Sequence, residues 1–329
     1  MKKFNWGILG TGWIASEMAE ALMEVHGEIY AVCGTSMEKA ERFASGFQVK
    51  KCYADAAEMI HSEDLDILYV ATPHSNHYQF ILEAVKCGRH VLAEKSITMN
   101  DRQLLHCIKE AEKTGAVISD GTTILHMPLY KKIRQMIREG VIGKVKMIQV
   151  SHGSLKPYDV DSRFFKKELA GGAMLDIGVY AVSAARFFMS QCPDAQVSQV
   201  HFFETGVDET MGIVLKNSAD EIASLALSLR CLYPKQCIIA GEKGYITIDN
   251  YQRPDHATVV FNEDLKEELI REGDTGKALQ YEVLDMEDYI LSGCGGENLA
   301  IVYDTMRIMT RIRDSWGLHY ACEQAGIPF

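Results

Sequence analysis

No C-x-x-C pair occurs in this chain, although it holds nine cysteines, an odd number. Without that spacing neither a zinc knuckle nor a disulfide frame is expected, and the thiols read as buried groups of a reducing compartment. Basic stripes are missing too. Lys and Arg number 34 against 45 Asp and Glu, a net charge of −11, so no nucleic-acid partner is expected and the acidic surface reads as solubility. No apolar run approaches membrane-spanning length, and the chain enters an apolar strand within a few residues of its start. That leaves no room for a charged leader and apolar signal core, so the expectation is a cytoplasmic protein with no membrane partner. Internal repeats and low-complexity tracts are also absent.

Apolar residues are plentiful. They make up 47% of 329 residues, enough for large cores and two domains, and the 15 methionines read as core filler. The most informative stretch is Lys3 to Ala15, KFNWGILGTGWIA, where an apolar strand runs into Gly10, Gly12 and Ala15 before an amphipathic helix. Gly10 suits a tight turn, Gly12 lets backbone N–H groups approach a pyrophosphate, and Ala15 keeps helix and sheet close. The intervening Thr11, Trp13 and Ile14 belong to the same cofactor-binding turn, whose helix N-terminus faces the anion.

Periodicity supports this dinucleotide fingerprint. Ile14, Met18, Leu22 and Val25 recur at helical spacing. Further strands are predicted at Ile29 to Cys33, Ile67 to Thr72, His90 to Glu94 and Ala116 to Ser119, with helices at Met37 to Gly46, Tyr78 to Cys87 and Asp101 to Thr114. Such alternation means βαβ units and a doubly wound parallel sheet, an α/β Rossmann domain ending near Gly121. The rest reads differently. Helices at Leu129 to Glu139 and after Gly171, a strand at Val145 to Ser151, and six short strands between Val197 and Phe261 predict an α+β domain over 122–329 with a largely antiparallel open-faced sheet. Helices from about Ala278 and Leu299 close it.

The end of the second strand bears on cofactor choice. An NAD site usually places a carboxylate there for the ribose 2′-hydroxyl, but this chain has Cys33, Gly34, Thr35 and Ser36. The hydroxyls of Thr35 and Ser36, with Lys39 and Arg42 nearby, would serve a 2′-phosphate, which favours NADP over NAD. A plainer reading stays open, in which Ser36 only caps its helix, Lys39 and Arg42 are solvated, and Glu38 repels a phosphate.

Two further loops follow parallel strands, Ala71-Thr72-Pro73-His74-Ser75-Asn76-His77 and Ala93-Glu94-Lys95-Ser96. In a doubly wound sheet such loops lie on the ligand face. Downstream, Gly171-Gly172 leads into Asp176 and Tyr180, four apart and therefore on one helical face. His74 and His77 lack further ligands at metal spacing, so no metal is expected.

These motifs together resemble the Gfo/Idh/MocA oxidoreductase family over essentially the whole chain. Its T-P-x-x-x-H loop is matched by Thr72, Pro73 and His77, its E-K-P motif by Glu94 and Lys95, and its G-G-x-x-x-D-x-G-x-[HY] segment by Gly171, Gly172, Asp176, Gly178 and Tyr180. The stretch RFFKKELAGGAMLDIGVYAV is most similar to the branch with Tyr at the last position, that of dihydrodiol dehydrogenase and glucose-fructose oxidoreductase. Gly317 and Tyr320 match a closing G-x-x-Y. One departure stands out: Ser96 replaces the family's Pro, whose preceding peptide is often cis in relatives. A cis bond costs about 2.5–4 kcal/mol before Ser against about 0.5–1 before Pro, so a different local turn is expected.

The resemblance implies an NAD(P)-dependent oxidoreductase that transfers a hydride between nicotinamide and a hydroxyl or carbonyl carbon. The substrate would be a sugar, polyol, cyclic diol or related carbonyl compound. It implies Tyr180 as acid and base, Lys95 lowering its pKa and polarising the substrate oxygen, and Asp176 binding a neighbouring hydroxyl or holding Lys95. Thr72, Pro73, His74, His77, Glu94 and Lys95 would contact the cofactor, and Arg163 the substrate. Plainer readings remain beside these. Asp176 could N-cap its helix, His77 could be a cap, and Arg163 with Phe164 and Phe165 could pack on the Gly-rich turn. The resemblance also implies a homodimer or homotetramer paired through the second-domain sheet. The alternative function is a non-catalytic NAD(P)-sensing regulator, and a third possibility is an assembly protein.

Overall fold

A computed structural model describes residues 3–323. The chain forms two compact units. The first comprises residues up to Gly121 together with Leu279–Tyr303, Cys322 and Glu323; the second comprises Thr122–Ala278 and Asp304–Ala321. The second unit thus begins where the last parallel strand ends, but it is not the continuous stretch 122–329. The chain returns to the first unit, where Trp6 donates its indole N–H to Glu287 Oε1 at 2.9 Å.

In the first unit, strands β1 (Trp6–Leu9), β2 (Ile29–Cys33), β3 (Val49–Tyr53), β4 (Ile67–Val70), β5 (His90–Ala93) and β6 (Ile118–Asp120) form one sheet in the order β3-β2-β1-β4-β5-β6. Every pairing is parallel. Its helices are α1 (Trp13–His26), α2 (Met37–Ala44), α3 (Ala56–Ile60), α4 (His74–Lys86) and α5 (Asp101–Thr114). The order reverses between β1 and β4, the switch point beside which ligands bind in such sheets. Local chemistry sets the boundaries. Helix α5 begins where the Asn100 side chain accepts the Gln103 N–H and ends at Gly115 in the left-handed region. Helix α4 starts at His74 and not at Tyr78, because Pro73 fixes its N-cap.

In the second unit, helix α6 (Pro128–Arg138) leads to β7 (Val145–Gly153), and α7 (Val179–Phe188) follows the Gly-rich turn. Strands β8 (Ala195–Phe202), β9 (Asp208–Lys216), β10 (Ile222–Ser228), β11 (Tyr233–Gly241), β12 (Gly244–Asp249), β13 (His256–Phe261) and β14 (Glu267–Arg271) join β7 in the order β14-β13-β12-β11-β7-β10-β9-β8. Only β7 and β10 run parallel; the other pairs are antiparallel. One face is apolar, with Ile148, Val150, Ile213, Leu215, Leu225 and Ile239 buried, and α7 packs on β7 and β10. The other face is open, as alternation along an antiparallel strand predicts. Helix α8 (Ala278–Ser292) and helix α9 (Gly296–Ser315) close the fold.

All nine cysteines are free thiols, but the expectation that they are buried holds only for some. Cys33, Cys107 and Cys237 are buried, whereas Cys231 and Cys294 are exposed. Burial pushes the Cys33 thiol up to about 11 and Cys107 to about 12. No helix among the described residues is long and apolar enough to cross a membrane.

Candidate active site

Three loops leave the carboxyl ends of adjacent strands in the first unit: Gly10 after β1, Thr72 after β4 and Glu94-Lys95 after β5. Gly10 has φ +120°, and a Cβ there would run into the Ala71 carbonyl, so two neighbouring strand ends meet at a position that favours glycine. Gly12 is different. Its backbone is extended, φ −82°, and a Cβ there would meet nothing within 4 Å. The fold itself makes no demand for glycine at 12, which leaves its backbone open to close approach, as a dinucleotide's pyrophosphate would require.

Helix caps point the same way. Helices α2, α3 and α5 are capped by the side chains of Ser36, Asp55 and Asn100, whereas α1 and α4 have no side-chain cap and no acid in the first turn. No side chain competes for the N-terminal end of α1, at the loop beside the switch point, where a helix start favours an anion. Trp13, the first residue of α1, is 65% exposed. These residues fit a bound dinucleotide.

Beyond β2, Ser36 Oγ accepts the Lys39 N–H at 3.3 Å, so it does cap α2. Lys39 Nζ donates to Thr35 Oγ1 at 2.9 Å. Arg42 is drawn to Glu38 at 2.6 Å, which neutralises the charge expected to repel a phosphate. The exposed pair Thr35 and Lys39 thereby marks the end of β2 as a site of hydroxyl and positive charge.

Glu94 directly follows β5. Tyr69 donates its hydroxyl to Glu94 Oε1 at 2.5 Å. Burial pushes the Glu94 carboxyl up, opposed by that bond and by Lys95, and reinforced by Asp120 at the end of β6. Neither Tyr69 nor Asp120 belongs to a recognised motif; only their positions two strands apart, flanking β5, bring them to Glu94. The peptide between Lys95 and Ser96 is cis, so the different turn expected from the missing proline is not found.

His77, expected at the cofactor or as a cap, is fully buried, with Nε2 2.7 Å from the Thr72 carbonyl and Nδ1 3.1 Å from the Ser96 carbonyl. Its ring joins the loop after β4 to the loop bearing Lys95 and has no surface left for a ligand. Burial pushes its pKa down. A neutral ring donates from one nitrogen only, so it can hydrogen-bond one of these two carbonyls at a time. His74 begins α4 and meets His77 edge-on at 5.7 Å. Among the described residues no group of three or more His, Cys, Asp or Glu is placed to hold a metal.

In the second unit, Gly171 and Gly172 open a π-helical turn, Met174–Gly178, that passes directly into α7. Single π-turns of this kind are frequent at functional sites. Asp176 lies inside the turn, its N–H on the Gly172 carbonyl. It is the one residue from Gly171 to Ala185 that is not buried, and Tyr180 on α7 is 9% exposed. The Arg163 guanidinium lies 4.3 Å from the Phe164 ring centroid, while Phe165 is buried and stacked on Phe203 at 4.1 Å. The Phe164 carbonyl accepts the Gly172 N–H at 2.8 Å, so this segment does pack on the Gly-rich turn. Tyr320, seen in sequence only as a closing motif, donates to the Gly171 carbonyl at 2.5 Å.

Comparison with known proteins agrees with this architecture. Residues 4–122 match the "Oxidoreductase family, NAD-binding Rossmann fold", and residues 130–247 match the "GFO/IDH/MocA C-terminal domain". A trans-1,2-dihydrobenzene-1,2-diol dehydrogenase of Xenopus laevis is 30% identical over 99% of both chains. A scyllo-inositol 2-dehydrogenase (NADP(+)) of Bacillus subtilis is 26% identical over 98% of this chain and 99% of its own. Among solved structures, a levoglucosan dehydrogenase in complex with NADH and levoglucosan has a TM-score of 0.86 at 18% identity, covering 96% of this chain and 98% of its own. A 3-ketoreductase from Actinomadura kijaniata in complex with NADP and TDP-benzene has a TM-score of 0.84 at 22% identity, covering 95% and 98%. The chain belongs to the GFO/IDH/MocA family of oxidoreductases, with an NAD-binding Rossmann fold as its first part.

Proposed function

We propose that this protein transfers a hydride between the nicotinamide of NADP(H) and a hydroxyl or carbonyl carbon of a sugar, polyol or cyclic diol, with Tyr180 moving the proton. The observation that carries this reading is the uncapped α1 N-terminus at Gly12, beside a β2 end that offers Thr35, Ser36 and Lys39 and no carboxylate. The relatives' names, a diol and an inositol dehydrogenase, support the substrate class. When bound, the cofactor supplies the hydride acceptor or donor.

This chain's residues then handle the proton. In the oxidising direction the substrate O–H gives its proton to the Tyr180 phenolate as the C–H bond yields its hydride; in reduction the Tyr180 hydroxyl returns a proton to the developing alkoxide. A tyrosine titrates near 10 when unperturbed, so a cation is needed, and Lys95 is assigned that role. Asp176, the half-buried carboxylate of the π-turn, receives a neighbouring substrate hydroxyl, and Arg163 borders the substrate.

Titrating the protein with NADPH and NADH separately, by nicotinamide fluorescence, and then supplying NADP+ or NAD+ with scyllo-inositol, levoglucosan or trans-1,2-dihydrobenzene-1,2-diol while following nicotinamide reduction tests the reading. Tighter binding of NADPH, with reduction of NADP+ by at least one of these compounds, is expected. Tight binding without any turnover would favour the NAD(P)-sensing regulator instead. Tyr180→Phe should lower kcat by about 10²–10⁴ while NADPH still binds; unchanged turnover would overturn the assignment.

The open sheet face is proposed as a pairing surface between two or four copies. Register places Val197 opposite Val214 and Met147 opposite Ile222 on it, all exposed. Light scattering on the eluting protein is expected to give a dimer or tetramer, and a monomer after Val197→Lys with Ile222→Lys. A monomeric parent would discard the proposal.

A further inference from the structure

Asp208 opens β9, lies outside every motif, and is fully buried. Its Oδ2 accepts the N–H of Met174, the first residue of the π-turn, at 2.5 Å. Its Oδ1 is buried without a hydrogen-bond partner. That atom lies against Gly172, whose φ is +123° and where a Cβ would run into the carboxylate. On the other side, the Arg313 guanidinium of α9 stands 5.4 Å from the Tyr320 ring centroid, and the Tyr320 hydroxyl holds Gly171. Gly171 and Met174, on either side of Gly172, are therefore both tethered by buried polar groups.

A buried carboxylate is an expensive way to accept one N–H, because a neutral amide could do the same. Burial raises the Asp208 carboxyl to about 6, opposed by the Met174 and Ala173 N–H groups and by Arg313. Those groups and Tyr320 are what face it. A charge-assisted bond is stronger and more directional than a neutral one. It acts on the turn in which Asp176 lies, two residues beyond Met174, and from which Tyr180 follows.

We propose that Asp208 is a positioning residue for the hydride-transfer site: its carboxylate, with Tyr320, fixes the Gly171–Gly178 turn and so the directions of Asp176 and Tyr180. The catalytic part of this rests on the function proposed above; the structural part does not. The test compares the full-length protein with Asp208→Ala, Asp208→Asn and Tyr320→Phe. Its readouts are amide protection factors over residues 174–180, NADPH affinity, and kcat with NADP+ and scyllo-inositol or trans-1,2-dihydrobenzene-1,2-diol.

Asp208→Ala should reduce protection over 174–180 and lower kcat about ten- to a hundredfold, with NADPH affinity within about twofold. Asp208→Asn keeps a neutral acceptor, like the protonated carboxyl, and should show already at pH 8 the lowered kcat and protection that the parent reaches below about pH 6, without the parent's inflection there. Tyr320→Phe should loosen the same segment. A folded Asp208→Ala protein with parental protection and kcat would overturn the proposal. Should Asp208→Ala not fold, an Asp208→Asn protein whose pH profiles of protection and kcat match the parent's would overturn it equally. Where no compound turns over, the function proposed above fails and the protection factors alone decide.

Discussion

At residue 77 a histidine does the work of a bolt. Its ring joins the carbonyls of Thr72 and Ser96 and is wholly enclosed, so the motif that contains it serves the shape of the Lys95 loop. Replacing it by phenylalanine fills the space but removes its one donor, leaving a buried carbonyl unpaired at about 1–3 kcal/mol. His77→Phe should therefore lower Tm at pH 8. Because burial lowers the His77 pKa, the folded state refuses a proton that the unfolded chain accepts below about 6.5. The stability His77 contributes is thus present above that pH and is lost as pH falls through it. The Tm gap between parent and variant should shrink from pH 8 toward pH 5; a gap that widens would contradict the burial argument. The motif spacing made this residue visible in the sequence, but not its role, since the Ser96 carbonyl is nineteen residues away.

Helix ends carry the cofactor argument at the scale of the element. Helix α1 is left without a cap where a pyrophosphate is expected, and α2 is capped by Ser36 while Thr35 and Lys39 face outward. Thr35→Asp combined with Lys39→Ala removes the hydroxyl and the cation and adds a negative charge. NADPH should then bind about ten- to a hundredfold more weakly, as loss of a charge-assisted hydrogen bond predicts, while NADH changes little. Equal weakening of both nucleotides would place the 2′-phosphate elsewhere. Elements with strong local signals were legible: β2 and α5 fall on their predicted bounds. Those missed were β3, β14 and α3. The two strands lie at sheet edges, pair on one side only and are rich in Lys, Glu and Arg, so they lack an apolar pattern, and α3 has only five residues.

For the whole molecule, the return of Leu279–Tyr303 to the first unit matters most. Trp6 is almost fully buried and its indole N–H is satisfied by Glu287 on α8, so a fragment ending at Gly121 would expose that ring and orphan its donor. Such a fragment should show a broad, low-temperature circular dichroism transition, whereas one with residues 279–303 attached by a flexible linker should melt cooperatively at higher temperature. A sharp and equal transition in both would show that α8 is dispensable. This crossing was invisible in sequence because α8 carries no signal that says which core receives its apolar face.

The parallel sheet, the dinucleotide fingerprint, the family, the loop that bears Lys95 and the Gly-rich segment that leads to Asp176 and Tyr180 were all legible in the sequence. Those features are written in short windows, as strand and helix periods and glycine spacings that depend on neighbours a few residues apart. Tertiary structure alone decided that Tyr69 bonds Glu94, that His77 is a bolt, that Asp208 grips the turn before Tyr180, and that α8 belongs with β1. Each depends on partners 5 to 281 residues apart. Burial turns those meetings into strong constraints, because a polar group removed from water must find its partner wherever the fold supplies one.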